Sequence, residues 1–428
     1  MSTGHVDVEA LAAGEPEMSG LRAGTIVFIA VGAANVCNYL FHLFSARYLG
    51  PASYGDVATL AGVIGIIILP LGGAQVFIAR HVAGQSAHGD GPSHSNYISG
   101  FGGAMLLAGG VLTGILLVCS PLLESWLSIG SLAAVIVAML VTLPSFVAPV
   151  LIGAAQGRHL FMLVGVAIFV PAAIRVVLTA STLQAGLGVT GTMAATLAGA
   201  TVAVAIPFFA LRGKLGGTWR PRLPRRDLIA LLPVIAGMLA IALLTTDDLV
   251  AAKVSFTPHE AGLYGSASLI GRVILYLPVA IVTVLLPSVS ARVSRGHSAR
   301  SLLTNSLLAT GAVCLIFTVF YTIFPHLIVR IAFGAKYQGA ASLLWMFAIA
   351  MSLYSLLNVV LVYRLGHHET RTAWLLLGGA AGQAVLFVLF SSSPRELLTV
   401  SILVAASLLA ATVLLPQRAL EPHVGHVP

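Results

Sequence analysis

Long apolar runs separated by short polar breaks make up almost the whole chain. Runs of about 20 residues or more recur from Gly24 to Leu415, several without a charge. At ~1.5 Å rise per residue, a helix of that length crosses the ~30 Å hydrocarbon core of a bilayer. The pattern predicts spans near 23–46, 55–79, 96–119, 131–155, 160–182, 187–211, 228–250, 262–289, 301–323, 340–363, 372–390 and 396–415. The chain therefore reads as an all-α membrane protein of about twelve transmembrane helices. An even number of spans places both tails on one side.

Composition agrees. Apolar residues make up 58% of the chain and charged ones 8%, against roughly 25% charged in soluble domains. The net charge of +8 does not imply a nucleic-acid partner, because most basic residues sit in short loops where orientation signals belong. With the amino terminus inside, 15 Lys and Arg fall on inner segments, among them Arg80 and the run Arg212–Arg226. The outer loops hold five: Arg47, Lys253, Arg330, Lys336 and Arg395. The expected protein is a multi-pass plasma (inner) membrane protein with both termini cytoplasmic. Residues 1–22, acidic before Arg22, read as a disordered tail rather than a cleaved signal, which would need a basic start. Residues 416–428 form a second tail. Cys37, Cys119 and Cys314 all lie in apolar runs and read as inert packing residues, with no disulfide or metal spacing.

The loop 212–226 carries six basic residues, two prolines and a Gly-Gly pair. It reads as a cytoplasmic linker dividing two six-helix bundles, 23–211 and 227–415, its basic residues serving as an orientation signal or, alternatively, as a surface for anionic lipid. Each half then starts inside, giving parallel pseudo-repeats with a site expected between them. Pro51 to Gly55 opens the second span, and Pro258 to Gly265 opens the eighth, each ending Tyr-Gly. Gly102-Gly103, Gly109-Gly110 and Gly378-Gly379 read as sites of close helix approach. Prolines at 70, 144, 149, 171, 207, 233, 278 and 287 read as kinks in helices that bend and rock.

The segment Ala46-Arg47-Tyr48-Leu49-Gly50-Pro51-Ala52-Ser53-Tyr54-Gly55 resembles the first outer loop of polysaccharide flippases of the multidrug/oligosaccharidyl-lipid/polysaccharide export superfamily. Asp248 to Lys253 followed by Ala261-Gly262-Leu263-Tyr264 is similar to that family's seventh-to-eighth-span connection. Phe333-Gly334-Ala335-Lys336-Tyr337 is similar to its motif after the ninth span, and Gly153-Ala-Ala-Gln156-Gly157 to the turn closing the fourth. The resemblance implies two six-helix bundles around a central cavity and alternating access. It also implies flipping of an undecaprenyl-diphosphate-linked oligosaccharide to the outer leaflet for surface polysaccharide biosynthesis. The implied partners are the lipid bilayer, the lipid-linked glycan, and the polymerase and glycosyltransferases of the pathway. The chain lacks the two extra carboxy-terminal spans usual in the peptidoglycan-precursor branch.

Arg272 and Arg175 fall near mid-membrane, where a charge costs ~2.5–3.5 kcal/mol on insertion scales and normally faces a partner or a polar cavity. A diphosphate is a suitable partner for bidentate arginine contacts; the structural alternative is a backbone carbonyl at a kink near Pro171 or Pro278. Arg47, Arg80 and Asn38 are further substrate-binding candidates, against interfacial anchoring for the arginines and helix bonding for Asn38. Asp247 and Asp248 read either as solvated carboxylates ending the seventh span or as a coupling site or gate with Lys253 or Arg47. No acidic residue reads as mid-span, so no buried acidic relay is expected. Gln75, Gln156, Asn358 and Gln383 read mainly as helix–helix bonds, and His42 as structural. No nucleotide-binding loop, nucleophile elbow or metalloprotease motif occurs, so no catalytic residue, cofactor or metal is expected and the chain does not read as an enzyme. The competing readings are a cation-coupled multidrug exporter of the same superfamily, a membrane glycosyltransferase or ligase, and a non-transporting scaffold.

This topology makes a direct prediction. A membrane-impermeant thiol reagent applied from outside should label cysteines placed at Ser53 and Thr257 but not one at Gly216. Outside labelling at Gly216 would overturn the orientation.

Overall fold

A computed structural model describes residues 20–86, 92–215, 219–278, 285, 289, 292, 300–367 and 369–414. Most of both tails, Gly216 and Pro287 lie outside the described residues. Every regular element among the described residues is helical. In chain order they are α1 (Gly20–Ile68), α2 (Leu71–Ser86), α3 (Pro92–Val118), α4 (Ser120–Trp126), α5 (Leu132–Leu140), α6 (Thr142–Gly157), α7 (Phe161–Gln184) and α8 (Gly188–Leu211). The second half holds α9 (Arg225–Leu244), α10 (Asp247–Ser255), α11 (Pro258–Tyr276), α12 (Arg300–Ile323), α13 (Pro325–Ala332), a 3₁₀ segment (Ala335–Leu343), α14 (Leu344–Gly366), α15 (Arg371–Leu389) and α16 (Pro394–Leu414).

Ten stretches among the described residues are long and apolar enough to cross a membrane. The first, Gly24–Gly84, makes two crossings, because α1 folds back on itself at Gly50. The Tyr54 hydroxyl lies 3.3 Å from His42 Nδ1, whereas twelve residues of unbroken helix would separate them by ~18 Å. Gly50 has φ 73° and ψ 174°, a conformation open essentially to glycine alone. Pro51 follows it at the start of the second arm, where its missing N–H costs nothing. With α11 as a further crossing, the count reaches the twelve read from the apolar pattern. Gly334 repeats the Gly50 conformation, with φ 94° and ψ −179°, just before the 3₁₀ segment.

The helices from α1 to α8 pack mainly on one another, and those from α9 to α16 do the same. Two bundles result. They meet chiefly where the second arm of α1 crosses α11, at the end of the molecule carrying the Gly50 turn. Lipid is as apolar as leucine, so contacts like these depend on close approach rather than on escape from water. A Cβ on Gly55 would lie 3.1 Å from Gly262 N, and one on Gly262 would collide with the Pro51 carbonyl oxygen. One turn further along, a Cβ on Gly265 would sit 3.0 Å from Ala58 Cβ. The two Tyr-Gly motifs that mark the internal repeat are thus packed against each other. The α11 end of the crossing is fixed by a capping box, in which the Thr257 hydroxyl and backbone N–H both donate to Glu260. Those bonds hold the Glu260 carboxyl below the usual carboxylate range.

The glycine pair Gly102-Gly103 differs from its expected role. It receives no helix; Trp219 and the backbone of Trp219 and Arg220 lie across it, and Arg222 N donates to Gly100 O at 3.0 Å. The second part of the inter-bundle connection is a strap seated on α3. Tyr97 extends the junction by donating to Asp227 at 2.7 Å. Gly109 meets the Phe146 side chain and Gly379 meets Leu408, as the close-approach reading expects, while Gly110 and Gly378 face open space.

The crossing predicts a sharp local sensitivity. Gly262→Val forces two backbones apart, so it should lower the melting temperature of the purified protein by several degrees. Gly65→Val, on the same α1 arm but with no neighbour within 4 Å, should leave it almost unchanged. Equal melting temperatures for the two variants would show that the crossing does not carry the bundle contact.

Candidate functional site

The seventh crossing is broken. Helix α9 ends at Leu244, and α10 restarts at Asp247 after a turn at Thr245-Thr246. A helix end leaves carbonyls without partners, which in a bilayer must be supplied from elsewhere. Gln383 donates to Leu244 O at 3.0 Å, Arg272 donates to Thr245 O at 2.8 Å, and the Thr245 hydroxyl bonds Ile241 O at 2.6 Å. The break also creates a helix amino terminus, where carboxylates are favoured by the helix dipole. Asp247 and Asp248 occupy its first turn.

This overturns the reading of Asp247-Asp248 as solvated carboxylates ending a span, and with it the expectation that no acidic group is buried. Asp248 is 3% exposed. It accepts from Tyr264 Oη at 3.0 Å and from Leu249 N at 2.9 Å, and it sits 3.6 Å from Arg272. Asp247 accepts from Gln383 Nε2 at 2.8 Å, while its second oxygen is buried without a hydrogen bond. Tyr354 completes the group by donating to Gln383 Oε1 at 2.7 Å and to Ser401 O at 3.2 Å. Four helices of the second bundle, α11, α14, α15 and α16, thereby close around the break in the seventh crossing. The sequence hid this because Thr-Thr-Asp-Asp between two apolar runs looks the same whether the helix stops or merely pauses.

The two arginines find different surroundings. Arg272 takes a backbone carbonyl at a helix break, but the break is at Thr245 rather than near Pro278. Its Nε keeps no hydrogen bond among the described residues. Arg175, on α7 of the other bundle, faces no carboxylate in the described contacts. Its guanidinium lies over the Phe41 ring, 3.8 Å from the centroid, and its Nε is also buried without a bond. Gly199 on α8 makes room for it, since a Cβ there would lie 3.3 Å from Arg175 Cβ. His42 on α1 is within electrostatic reach of both arginines, one from each bundle. On the same helix, Asn35, Asn38 and His42 share a face at i, i+3 and i+7, and both asparagines are exposed.

The remaining expected residues lie elsewhere. Lys253 was placed in an outer loop as a partner for the Asp pair. It is buried instead, with its side chain 2% exposed, and pairs with Asp56 at 2.6 Å. Asp56 belongs to the first bundle and was missed, because nothing local links it to a lysine almost two hundred residues on. Arg47 is exposed and donates to Ile331 O at 2.8 Å, capping a carbonyl near the end of α13. Tyr337 donates to Ala46 O at 2.8 Å, and its ring meets Tyr54 edge-on at 6.0 Å. Arg47, Asp56, Lys253, Tyr54 and Tyr337 therefore tie the two bundles together at the Gly50 end. Arg80 is exposed on α2, 24 residues beyond Asp56, and does not join either group. Gln75 and Gln156 bond each other at 3.3 Å, as the helix-bonding reading expects.

Removing one partner of a buried ion pair leaves an uncompensated charge, a penalty of about 3–5 kcal/mol. Asp56→Asn should therefore open the Gly50 end, read as at least tenfold faster labelling of a cysteine at Thr59, which is 2% exposed. The exchanged pair Asp56→Lys with Lys253→Asp should restore slow labelling. An unchanged rate in the single variant would show that the pair does not hold that end closed.

No family model matches the chain, and no curated protein matches it. Solved structures do. An inward-facing multidrug resistance MATE family transporter of the MOP superfamily superposes with a TM-score of 0.70 at 16% identity, covering 89% of this chain and 94% of that one. The lipid II flippase MurJ, in an inward closed conformation, gives a TM-score of 0.72 at 12% identity over 92% of this chain and 87% of that one. The eukaryotic MATE transporter AtDTX14 gives 0.62 at 14% identity, over 93% and 96%. With its all-helical, two-bundle architecture, the chain has the fold of the MOP superfamily.

Proposed function

We propose that the chain is a transporter that flips an undecaprenyl-diphosphate-linked oligosaccharide to the outer leaflet of the plasma membrane by alternating access, for surface polysaccharide assembly. The observation that carries this reading is the placement of Arg175 and Arg272. They come from opposite bundles, both act electrostatically on His42, and each keeps a buried guanidinium N–H without an acceptor among the described residues. Buried cations of this kind call for an anion, and a diphosphate presents two groups with the geometry of an arginine fork. The head group enters from the cytoplasmic end, with Asn38 on the α1 face that meets it, while the prenyl tail stays in lipid. Bundles 23–211 and 227–415 rock about the strap in 212–226, and Arg47 and the Asp56–Lys253 pair gate the outer end. An inside-negative potential drives each negative charge outward by about 2.3 kcal/mol per 100 mV. Arg80 acts as an interfacial anchor on the cytoplasmic side.

A second reading has its own support. The buried Asp247-Asp248 pair is the kind of acidic site a cation-coupled multidrug exporter uses, and among the structures sharing this fold are multidrug MATE transporters. The two readings differ in substrate charge. A flippase of anionic lipid needs both arginines, whereas an exporter of cationic drugs needs the acids and is hindered by the arginines. Both are transport without bond-making, so neither makes the chain an enzyme.

Arg175→Ala is the cleaner test, because Arg272→Ala also strips the Thr245 carbonyl and the Asp248 carboxylate of a partner. Arg175→Ala should abolish glycan export at near-normal abundance in the membrane. Arg272→Lys should keep the charge, lose the fork, and restore only part of the activity. Normal export by both Arg175→Ala and Arg272→Ala would overturn the anionic-substrate reading, and resistance to cationic drugs lost in Asp247→Asn would favour the exporter.

A further inference from the structure

The two central arginines are not equivalent. Arg175 rests on an aromatic face, whereas Arg272 already has a carboxylate beside it, and that contact is loose. The shortest Arg272–Asp248 distance is 3.6 Å, beyond a hydrogen bond, and Arg272 Nε is unbonded. Asp248 is held in place by Tyr264 and Leu249 rather than by the arginine. A carboxylate held by other partners, with a cation beside it that makes no hydrogen bond to it, is a displaceable counter-ion.

We propose that Asp248 is the resident counter-ion of Arg272, and that a diphosphate displaces it while one proton from water passes onto the Asp248 carboxylate. This rests on the flippase reading above. The charges require some such exchange. Arg175 and Arg272 supply two positive charges; a diphosphate diester brings two negative charges, and ionised Asp248 adds a third a few ångströms away. Like charges at that distance in a poorly solvated site repel strongly, and a buried carboxylate that loses its cation is costly. A proton on Asp248 removes both penalties. The carboxyl keeps its acceptor oxygen for Tyr264, and the new O–H can donate to a phosphate oxygen. Release of the diphosphate returns Arg272 to Asp248 and the proton to water. Substrate binding and proton uptake are then linked, each favouring the other by the same factor.

The groups facing Asp248 define the controls. Asp247 is on its own helix and is turned to Gln383; Arg272 and Tyr264 are on α11; Tyr354 lies beyond on α14. His42 and Tyr54 on α1 are within electrostatic reach of Arg272. A histidine so placed is a competing source of pH dependence and has to be separated from Asp248.

The experiment is calorimetric binding of a ten-carbon prenyl-diphospho-N-acetylglucosamine to the purified full chain between pH 6 and 8. Both phosphates of this diester stay ionised in that range, so any pH dependence belongs to the protein. Wild-type affinity should rise as pH falls, approaching about tenfold per pH unit where a full proton is taken up. Titrations in buffers of different ionisation enthalpy should show close to one proton taken up per probe bound, a reading that needs no variant to fold. Asp248→Asn should bind with no slope and, at pH 8, more tightly than wild type. His42→Gln and Asp247→Asn should keep the slope. Tight binding that is independent of pH and takes up no proton would overturn the counter-ion role and leave the flippase reading intact. A slope that disappears with His42 or Asp247, and survives in Asp248→Asn, would also overturn it. If the Arg175→Ala/Arg272→Ala double variant bound the probe like wild type, the flippase reading itself would fail.

Discussion

Everything central in this molecule depends on two backbones being allowed to touch. Where the second arm of α1 crosses α11, Gly55 and Gly262 leave no side chain between the helices, and Pro51 O packs directly on the Gly262 backbone. Side chains normally hold packed helices 8–10 Å apart. Here the absence of Cβ atoms brings the bundles close enough for Lys253 to reach Asp56, and for Tyr337 to reach Tyr54 and Ala46 O. Membrane helices gain little from hiding apolar surface, so closeness itself is the source of attraction. Both helices at the crossing open with Pro and carry the Tyr-Gly motif, which makes the contact nearly symmetric between the halves.

A second constraint follows from the apolar medium. The break in the seventh crossing exposes carbonyls that water cannot reach, and the protein answers with side chains from two other crossings. Gln383 and Arg272 bond the end of α9, while Asp247 and Asp248 sit at the start of α10. A cation at a helix carboxy terminus and anions at a helix amino terminus are each favoured by the dipoles they face. That accounts for how charge is tolerated at this depth. It does not account for Arg175, which has an aromatic face and, among the described residues, no acceptor for its Nε. The contrast gives the site its asymmetry: both arginines keep an unbonded Nε among the described residues, but Arg272 has a carbonyl and a carboxylate beside it, whereas Arg175 lies on the Phe41 ring.

The features legible in the sequence were those with a local signature. Apolar runs gave twelve crossings because span length is set by bilayer thickness. The Gly50-Pro51 turn was readable because only glycine takes that backbone conformation. Arg175 and Arg272 stood out because a charge in an apolar run is costly wherever it points. What could not be read were partners and breaks. Asp56 and Lys253 are each ordinary near a span end, and only the fold brings them within 2.6 Å. For the Asp247-Asp248 pair the sequence leaves a solvated helix end and a coupling site both open, because apolar sequence resumes immediately after it and hydropathy is blind to a two-residue interruption. Gly102-Gly103, expected to receive a helix, receives the strap at Trp219 instead, because composition cannot tell a helix from an extended segment lying on a glycine face.

The central claim is that the cations of the two bundles form one anion site at the middle of the membrane. The most direct measurement is a structure of the full chain with a short-chain prenyl-diphospho-sugar bound. The account predicts density for both phosphates between Arg175 and Arg272, next to His42, with Arg272 drawn away from Asp248. Phosphates bound elsewhere, or Arg175 and Arg272 both engaged with protein groups while the ligand sits apart from them, would contradict it.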